Sequence, residues 1–224
     1  MRKLISAILS ALIAICAGGA AASASISESA VRRAWKDVTN IAGMEALPLF
    51  IKEDAAANAW VEAGKSVTVT TGLMELLQRE EEIFGVLSHE AGHAKLKHYE
   101  SKVGQSVGVG IASILIGKAT KNNSLADLAV GIGLNLATAG FSREMEVEAD
   151  DFAVDLAIDG GHDPTGIYTA LERLSLQGGR LEPSGFNSHP PDERRLLHVK
   201  NRILERAPET KFPEVDPPEK AKQR

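Results

Sequence analysis

Residues 80–98 read EEEIFGVLSHEAGHAKLKH, and the rest of the chain is read outward from this stretch. Ile83, Val86, Leu87, Ala91 and Ala94 recur at helical spacing and mark one apolar face. Glu80, Glu81 and Glu82 open the stretch, where carboxylates offset the positive end of a helix dipole. The spacing predicts a helix from Glu80 to His98. Inside it, His89-Glu90-Ala91-Gly92-His93 is an HExxH pattern. Residues four apart share a helix face, so both imidazoles can reach one metal ion while Glu90 leans over the same point. Chance alone would place this pattern in about one such chain in seventy, so its weight comes from the periodic helix around it.

Two imidazoles do not complete a zinc site, which needs a third protein ligand and an open fourth position. A third histidine six residues after His93 is excluded, because that position is Tyr99, and the glycine expected at 96 is Leu96. His98 is one residue off and reads as structural. The other common solution is a glutamate from a later helix. In Ser142-Arg143-Glu144-Met145-Glu146-Val147-Glu148-Ala149-Asp150, Glu146 and Asp150 stand four apart and share a face. Glu146 can ligate while Asp150 accepts an N–H bond from a ligating histidine, which fixes that ring's tautomer. Glu144 and Glu148 compete for the ligand role, and any of these glutamates alone could be a solvated helix face.

Upstream, Ser27 to Val38 carries Val31, Trp35 and Val38 at helical spacing. Leu47 to Lys52, Ala59-Trp60-Val61 and Ser66 to Thr71 are short apolar or β-branched runs, the last two joined by Ala63-Gly64-Lys65. They predict a small antiparallel sheet with a hairpin, followed by a helix over Leu73 to Leu77. Downstream, Val103 to Gly117 and Leu125 to Phe141 read as a helical hairpin rich in Gly and Ala, either buried or touching a membrane surface. Arg143 to Ile158 predicts a helix ended by Gly160-Gly161. Asp163-Pro164 caps and starts another, and Pro190-Pro191-Asp192 opens a last one to about Arg206. The tail 207–224, rich in proline and charge, is expected to be disordered.

The 224 residues are 44% hydrophobic and 25% charged, with a net charge of −5 and 4% aromatics. These values fit one globular domain with a core. They disfavour a nucleic-acid partner, since neither a basic run nor a stacking surface is present. Met1-Arg2-Lys3, the apolar run Leu4 to Cys16 and Ala22-Ser23-Ala24 follow the order of a secretory signal peptide, with cleavage after Ala24. An uncleaved anchor or lipidation at Cys16 are the competing readings, the second disfavoured by Ile15. The only cysteine, Cys16, would leave with the signal, so the mature domain 25–206 would rely on core packing or a metal.

Three ordered motifs now stand together: His89-Glu90-x-x-His93, Phe141-Ser142-Arg143-x-x-Glu146-x-x-Ala149-Asp150, and His189-Pro190-Pro191-x-x-Arg194. Together they resemble the zinc metallopeptidase family forty-eight, which includes HtpX-like, Oma-type and CAAX-prenyl endopeptidases. Asn58-Ala59-Trp60 and Thr70-Thr71-Gly72-Leu73 are similar to that family's stretch upstream of the metal helix, and the resemblance covers roughly Asp54 to Arg206. It implies an α+β fold, a mostly helical, gluzincin-like zincin domain with a small antiparallel sheet beside the HExxH helix. It implies one zinc ion per chain bound by His89, His93 and Glu146, with Glu90 as the catalytic base. His189, on a stiff His-Pro-Pro segment, is the candidate donor to the reacting carbonyl oxygen, a resting-state ligand, or simply a helix cap. Arg194 is placed near an acid of the site or in a surface salt bridge. Asn58, Ala59 and Trp60 are the candidate substrate-binding edge strand. His162 and His198 read as surface residues.

The function expected from this resemblance is zinc-dependent endopeptidase activity in a bacterial periplasm, on unfolded or misfolded envelope polypeptides. The competing expectations are a chaperone-like module that cleaves little, and an enzyme in peripheral contact with a membrane.

Overall fold

The computed structural model describes residues 25–62, 65–102, 104, 140–177, 189 and 191–216. The expected signal segment 1–24, most of the expected hairpin between Val103 and Phe141, and residues 217–224 lie outside these.

Helix α1 spans Glu28–Ile41 and starts where the Ser27 hydroxyl accepts the Ala30 N–H at 3.2 Å. Its Val31, Trp35 and Val38 face inward, and the Trp35 indole donates to the Leu47 carbonyl at 2.8 Å. Strands β1 (Leu49–Lys52), β2 (Ala59–Glu62) and β3 (Ser66–Thr70) form a sheet in the order β1-β3-β2. β2 and β3 make the expected antiparallel hairpin, with Trp60 opposite Thr68. β1 pairs with β3 in parallel, Phe50 opposite Thr68, so the sheet is mixed rather than antiparallel throughout. The reason is topological. β2 occupies one edge of β3, and β1 must take the other, where the connection through 53–58 brings it in running the same way as β3. No residue pattern in a four-residue strand records that choice.

Thr70 ends β3 and caps α2 (Thr71–Leu76), its hydroxyl accepting the Leu73 N–H at 3.3 Å. Helix α3 spans Glu80–Lys95 and is buried from Glu82 to His93. Glu82 is fully buried, which its place in an acidic run does not suggest. One of its oxygens accepts the N–H groups of Gln78 and Arg79 at 2.7 and 3.2 Å, and the other the Arg173 Nε at 2.8 Å. Helix α3 stops before His98 because Lys97 takes a left-handed conformation at φ 57°.

Further along the described residues come helices α4 (Arg143–Asp159), α5 (Thr165–Leu176) and α6 (Glu193–Arg206). α3 lies at its centre, against α1, α4, α5 and β2. One apolar cluster joins α1, the sheet and α3; a second, built on Val154, Ile167, Leu171, Val199 and Ile203, joins α4, α5 and α6. Asp163 caps α5 as expected, its carboxylate accepting the Thr165 N–H at 2.9 Å. In the tail, Phe212 packs edge-on to Tyr168 with ring centroids 4.9 Å apart. At least this part of the expected disordered tail is docked, because an aromatic ring there finds an apolar seat. Among the described residues no helix is long and apolar enough to cross a membrane.

Candidate metal centre

His89 and His93 sit one turn apart on α3, each nearly inaccessible, with their Nε2 atoms 3.1 Å apart. Glu146 enters from α4, whose N-terminus is fixed by the Ser142 hydroxyl accepting the Met145 N–H. Its carboxylate lies 3.6 Å from His89 Nε2 and 3.5 Å from His93 Nε2. Gly92 makes this approach possible. A Cβ there would stand 3.2 Å from the Ala149 Cα and 3.3 Å from the Phe152 side chain, so even alanine would require α4 to give by a few tenths of an ångström. Glu144 and Glu148 are exposed, and of the three glutamates Glu146 is the buried one facing both histidines.

His189 joins them. Its Nδ1 lies 2.7 Å from Glu146 Oε1 and 3.3 Å from His89 Nε2. One donor atom from each of His89, His93, Glu146 and His189 falls within 4.8 Å of the others. Tetrahedral ligands about 2.0–2.1 Å from a zinc ion stand about 3.3 Å apart, and the observed separations bracket that value. The group therefore fits a small divalent cation, and its chemistry asks for one. His89 Nδ1 is 2.8 Å from Asp150 Oδ1, so a ring proton is held on the Asp150 side and Nε2 is the atom that faces the cluster. Burial holds the His93 imidazole well below the usual histidine pKa, and so neutral. Burial would do the same to His89, but Asp150 and Glu146 outweigh it and raise it to about 9. Burial alone would raise the Glu146 pKa; the neighbouring His189, then hydrogen bonds from His89 and His93, lower it instead.

Glu90 is fully buried. Its Oε2 accepts the Val61 N–H from β2 at 3.0 Å, while Oε1 has no hydrogen-bond partner among the described residues and lies 3.8 Å from His189 Nε2. Burial raises its pKa above the usual carboxylate value. The Asn58 carbonyl accepts the Thr70 N–H, so alternate residues of β2 turn their amides toward β3. Ala59 and Val61 turn theirs to the open edge, and that edge borders Glu90. The Ala59 side chain is buried beneath the strand. Trp60 is half-buried on the opposite face, with Lys52 Nζ 5.8 Å from its ring. The Asn58 side chain is buried and its Oδ1 has no partner.

Two residues with roles here were given none by the sequence, Arg195 and Phe141. Arg195, not Arg194, reaches the site. Its Nε and Nη2 donate to the two Asp150 oxygens at 2.9 and 2.7 Å, and Nη1 donates to the His189 carbonyl at 2.9 Å. The same Nη1 lies 2.9 Å from Glu146 Oε2. Arg194 is exposed. Only the phase of α6, set by the Asp192 cap on the Arg195 N–H, distinguishes the two arginines. Phe141 stacks on His93 with centroids 4.1 Å apart. Its position before the Ser142 cap was the available signal. His198 has a partner after all, Asp151 at 2.8 Å, and His162 stacks on Phe84.

Comparison with known proteins gives one family and several relatives. The model of Peptidase family M48 matches residues 25–203. Metalloprotease YcaL of Escherichia coli (strain K12) is 39% identical over 153 residues, covering 65% of this chain and 58% of that protein. Metalloprotease LoiP of the same organism is 33% identical over 151 residues, with the same coverage. The beta-barrel assembly-enhancing protease of that strain is 25% identical over 169 residues, covering 71% of this chain and 35% of that protein. The chain thus spans less than two thirds of the length of these curated relatives.

Proposed function

We propose that this chain, which belongs to peptidase family M48, a family of metallopeptidases, is a zinc-dependent endopeptidase. The observation that carries this reading is the buried convergence of His89, His93 and Glu146 beside the unpartnered Oε1 of Glu90. His89, His93 and Glu146 would hold the ion. When bound, zinc supplies a Lewis acid that polarises a peptide carbonyl and makes water acidic. Asp150 holds the His89 ring, and Arg195 holds Asp150.

Glu90 does the proton work. Burial makes its carboxylate a stronger base than a surface glutamate, and the Val61 N–H fixes its orientation. It takes a proton from the attacking water as the new C–O bond forms. It returns that proton to the amine nitrogen as the C–N bond breaks. We assign His189 the role of donor to the carbonyl oxygen that becomes negative, since its imidazole stands over the cluster and is tied through its own carbonyl to Arg195. In the arrangement described, the same ring also stands among the ligand atoms.

The substrate would add as an extended strand along β2, whose open edge borders Glu90. Main-chain bonds supply affinity there with little demand on sequence, which suits unfolded polypeptides. The Asn58-Ala59-Trp60 stretch forms that edge. The leader-like first 24 residues and the likeness to YcaL and LoiP support a periplasmic place and a role in envelope protein quality control, with misfolded envelope proteins as substrates.

The test is elemental analysis of the purified chain together with casein cleavage by wild type and Glu90→Gln. Wild type is expected to hold one zinc and cleave; Glu90→Gln is expected to hold zinc and not cleave. Equal cleavage would remove Glu90 as the base. No cleavage by wild type, with suppressed aggregation of an unfolded client, would replace the peptidase reading by a chaperone one. Full zinc content in Glu146→Ala would mean the third ligand lies elsewhere.

A further inference from the structure

Beyond the end of the metal helix a second hydrogen-bonded chain leaves His93, and the proposed reaction does not use it. His98 is almost wholly buried although it follows α3 and sits five residues from His93. Its Nδ1 is 2.9 Å from His93 Nδ1, and its Nε2 is 3.0 Å from Glu148 Oε2 on α4. The Glu148 side chain is 63% exposed, so the chain of contacts runs from the buried cluster to solvent.

The donor directions follow from the cluster. His93 Nε2 faces His89 and Glu146, so that lone pair is the one a metal would take. The proton of His93 then sits on Nδ1, which donates to His98 Nδ1. His98 is left with its proton on Nε2, and that donates to Glu148 Oε2. Each link admits one tautomer only.

The backbone is bent to make this possible. On a straight helix, five residues advance about 500°, which would put His98 about 140° away from His93. Instead α3 ends at Lys95, and Lys97 adopts φ 57°. A helical turn restarts there, with the Ser101 N–H bonded to the Lys97 carbonyl at 3.1 Å. A left-handed non-glycine residue is strained, and such strain gathers where a side chain must be aimed. Here the bend turns His98 back onto His93.

We propose that His98 and Glu148 are positioning residues that fix the His93 tautomer, and so set the metal affinity of the site, as Asp150 does through His89. This rests on the reading of His93 as a ligand. Affinity is measured on the full mature chain by zinc competition with a chromogenic chelator, and the site is probed by the visible absorption of bound cobalt(II). His98→Leu is expected to lower zinc affinity about 10–100-fold and to alter the cobalt spectrum. His98→Asn, which returns an acceptor near the Nδ1 position, is expected to restore most of it. Glu148→Ala lies on an exposed side chain and so keeps the test open if His98→Leu fails to fold; about a threefold loss or more is expected there. Wild-type affinity and an unchanged cobalt spectrum in His98→Leu, or equal losses in His98→Leu and His98→Asn, would overturn the proposal while leaving the peptidase reading in place. A wild-type chain that binds no zinc would overturn both.

Discussion

The Val61 N–H on β2 donates to Glu90 Oε2 on α3 at 3.0 Å, so the edge of the sheet and the proposed base are joined by one hydrogen bond. Glu90→Gln keeps an acceptor for that amide, whereas Glu90→Ala leaves it buried and unpaired. Both are expected to lose cleavage by about 10²–10⁴-fold. Only Glu90→Ala is expected to lose stability as well, by about 1–3 kcal/mol. Thermal unfolding of the two variants beside wild type checks this, and a Tm for Glu90→Ala at or above that of Glu90→Gln would contradict it.

Asp150 and Arg195 separate metal affinity from stability. Asp150 lies against His89 Nδ1, so Asp150→Asn is expected to weaken zinc binding about 10–100-fold, while Arg195 keeps its contact with Glu146. Arg195 is buried between Asp150 and Glu146, and Arg195→Met strands both carboxylates. Removing one partner of a buried pair costs about 3–5 kcal/mol. Urea unfolding of the metal-free chains measures that loss. A midpoint unchanged from wild type in Arg195→Met would show that the guanidinium holds nothing in place.

Helices α3 and α5 nearly touch. A Cβ on Gly85 would fall 2.4 Å from the Ile167 amide nitrogen, and one on Gly166 would fall 1.9 Å from the Glu81 carbonyl oxygen. The obstacles are backbone atoms, so a rotamer change cannot relieve them. Gly85→Ala is expected to destabilise by about 3 kcal/mol, at the upper end for overpacking. Stability equal to wild type in denaturant melts would mean that the two helices separate freely.

Acid sensitivity should track Asp163. Burial alone would raise its pKa, but the Thr165 amide and hydroxyl and Arg79 together lower it from 3.8. A folded value below the unfolded one adds stability that is fully present above the unfolded value. That stability is lost as pH falls through the folded value. The stability gap between wild type and Asp163→Asn is therefore expected to stay constant from pH 7 to about pH 5 and to close below about pH 4. A gap that widens on acidification would refute the sign.

What could be read from residues alone was whatever local spacing encodes. His89 and His93 on one face, Glu146 and Asp150 on another, and the Asp163 cap all follow from the period of a helix and from side chains that bond their own backbone. The antiparallel hairpin of β2 and β3 was legible for the same reason. The parallel pairing of β1, the choice of Arg195 over its neighbour and the return of His98 toward His93 were not. Each depends on how separate elements meet, and a single φ of 57° at Lys97 reverses what helical spacing alone would say of His98. Sequence spacing selects which side chains share a face; packing around Gly92, and the burial it produces, decides which faces meet and which charges must then find partners.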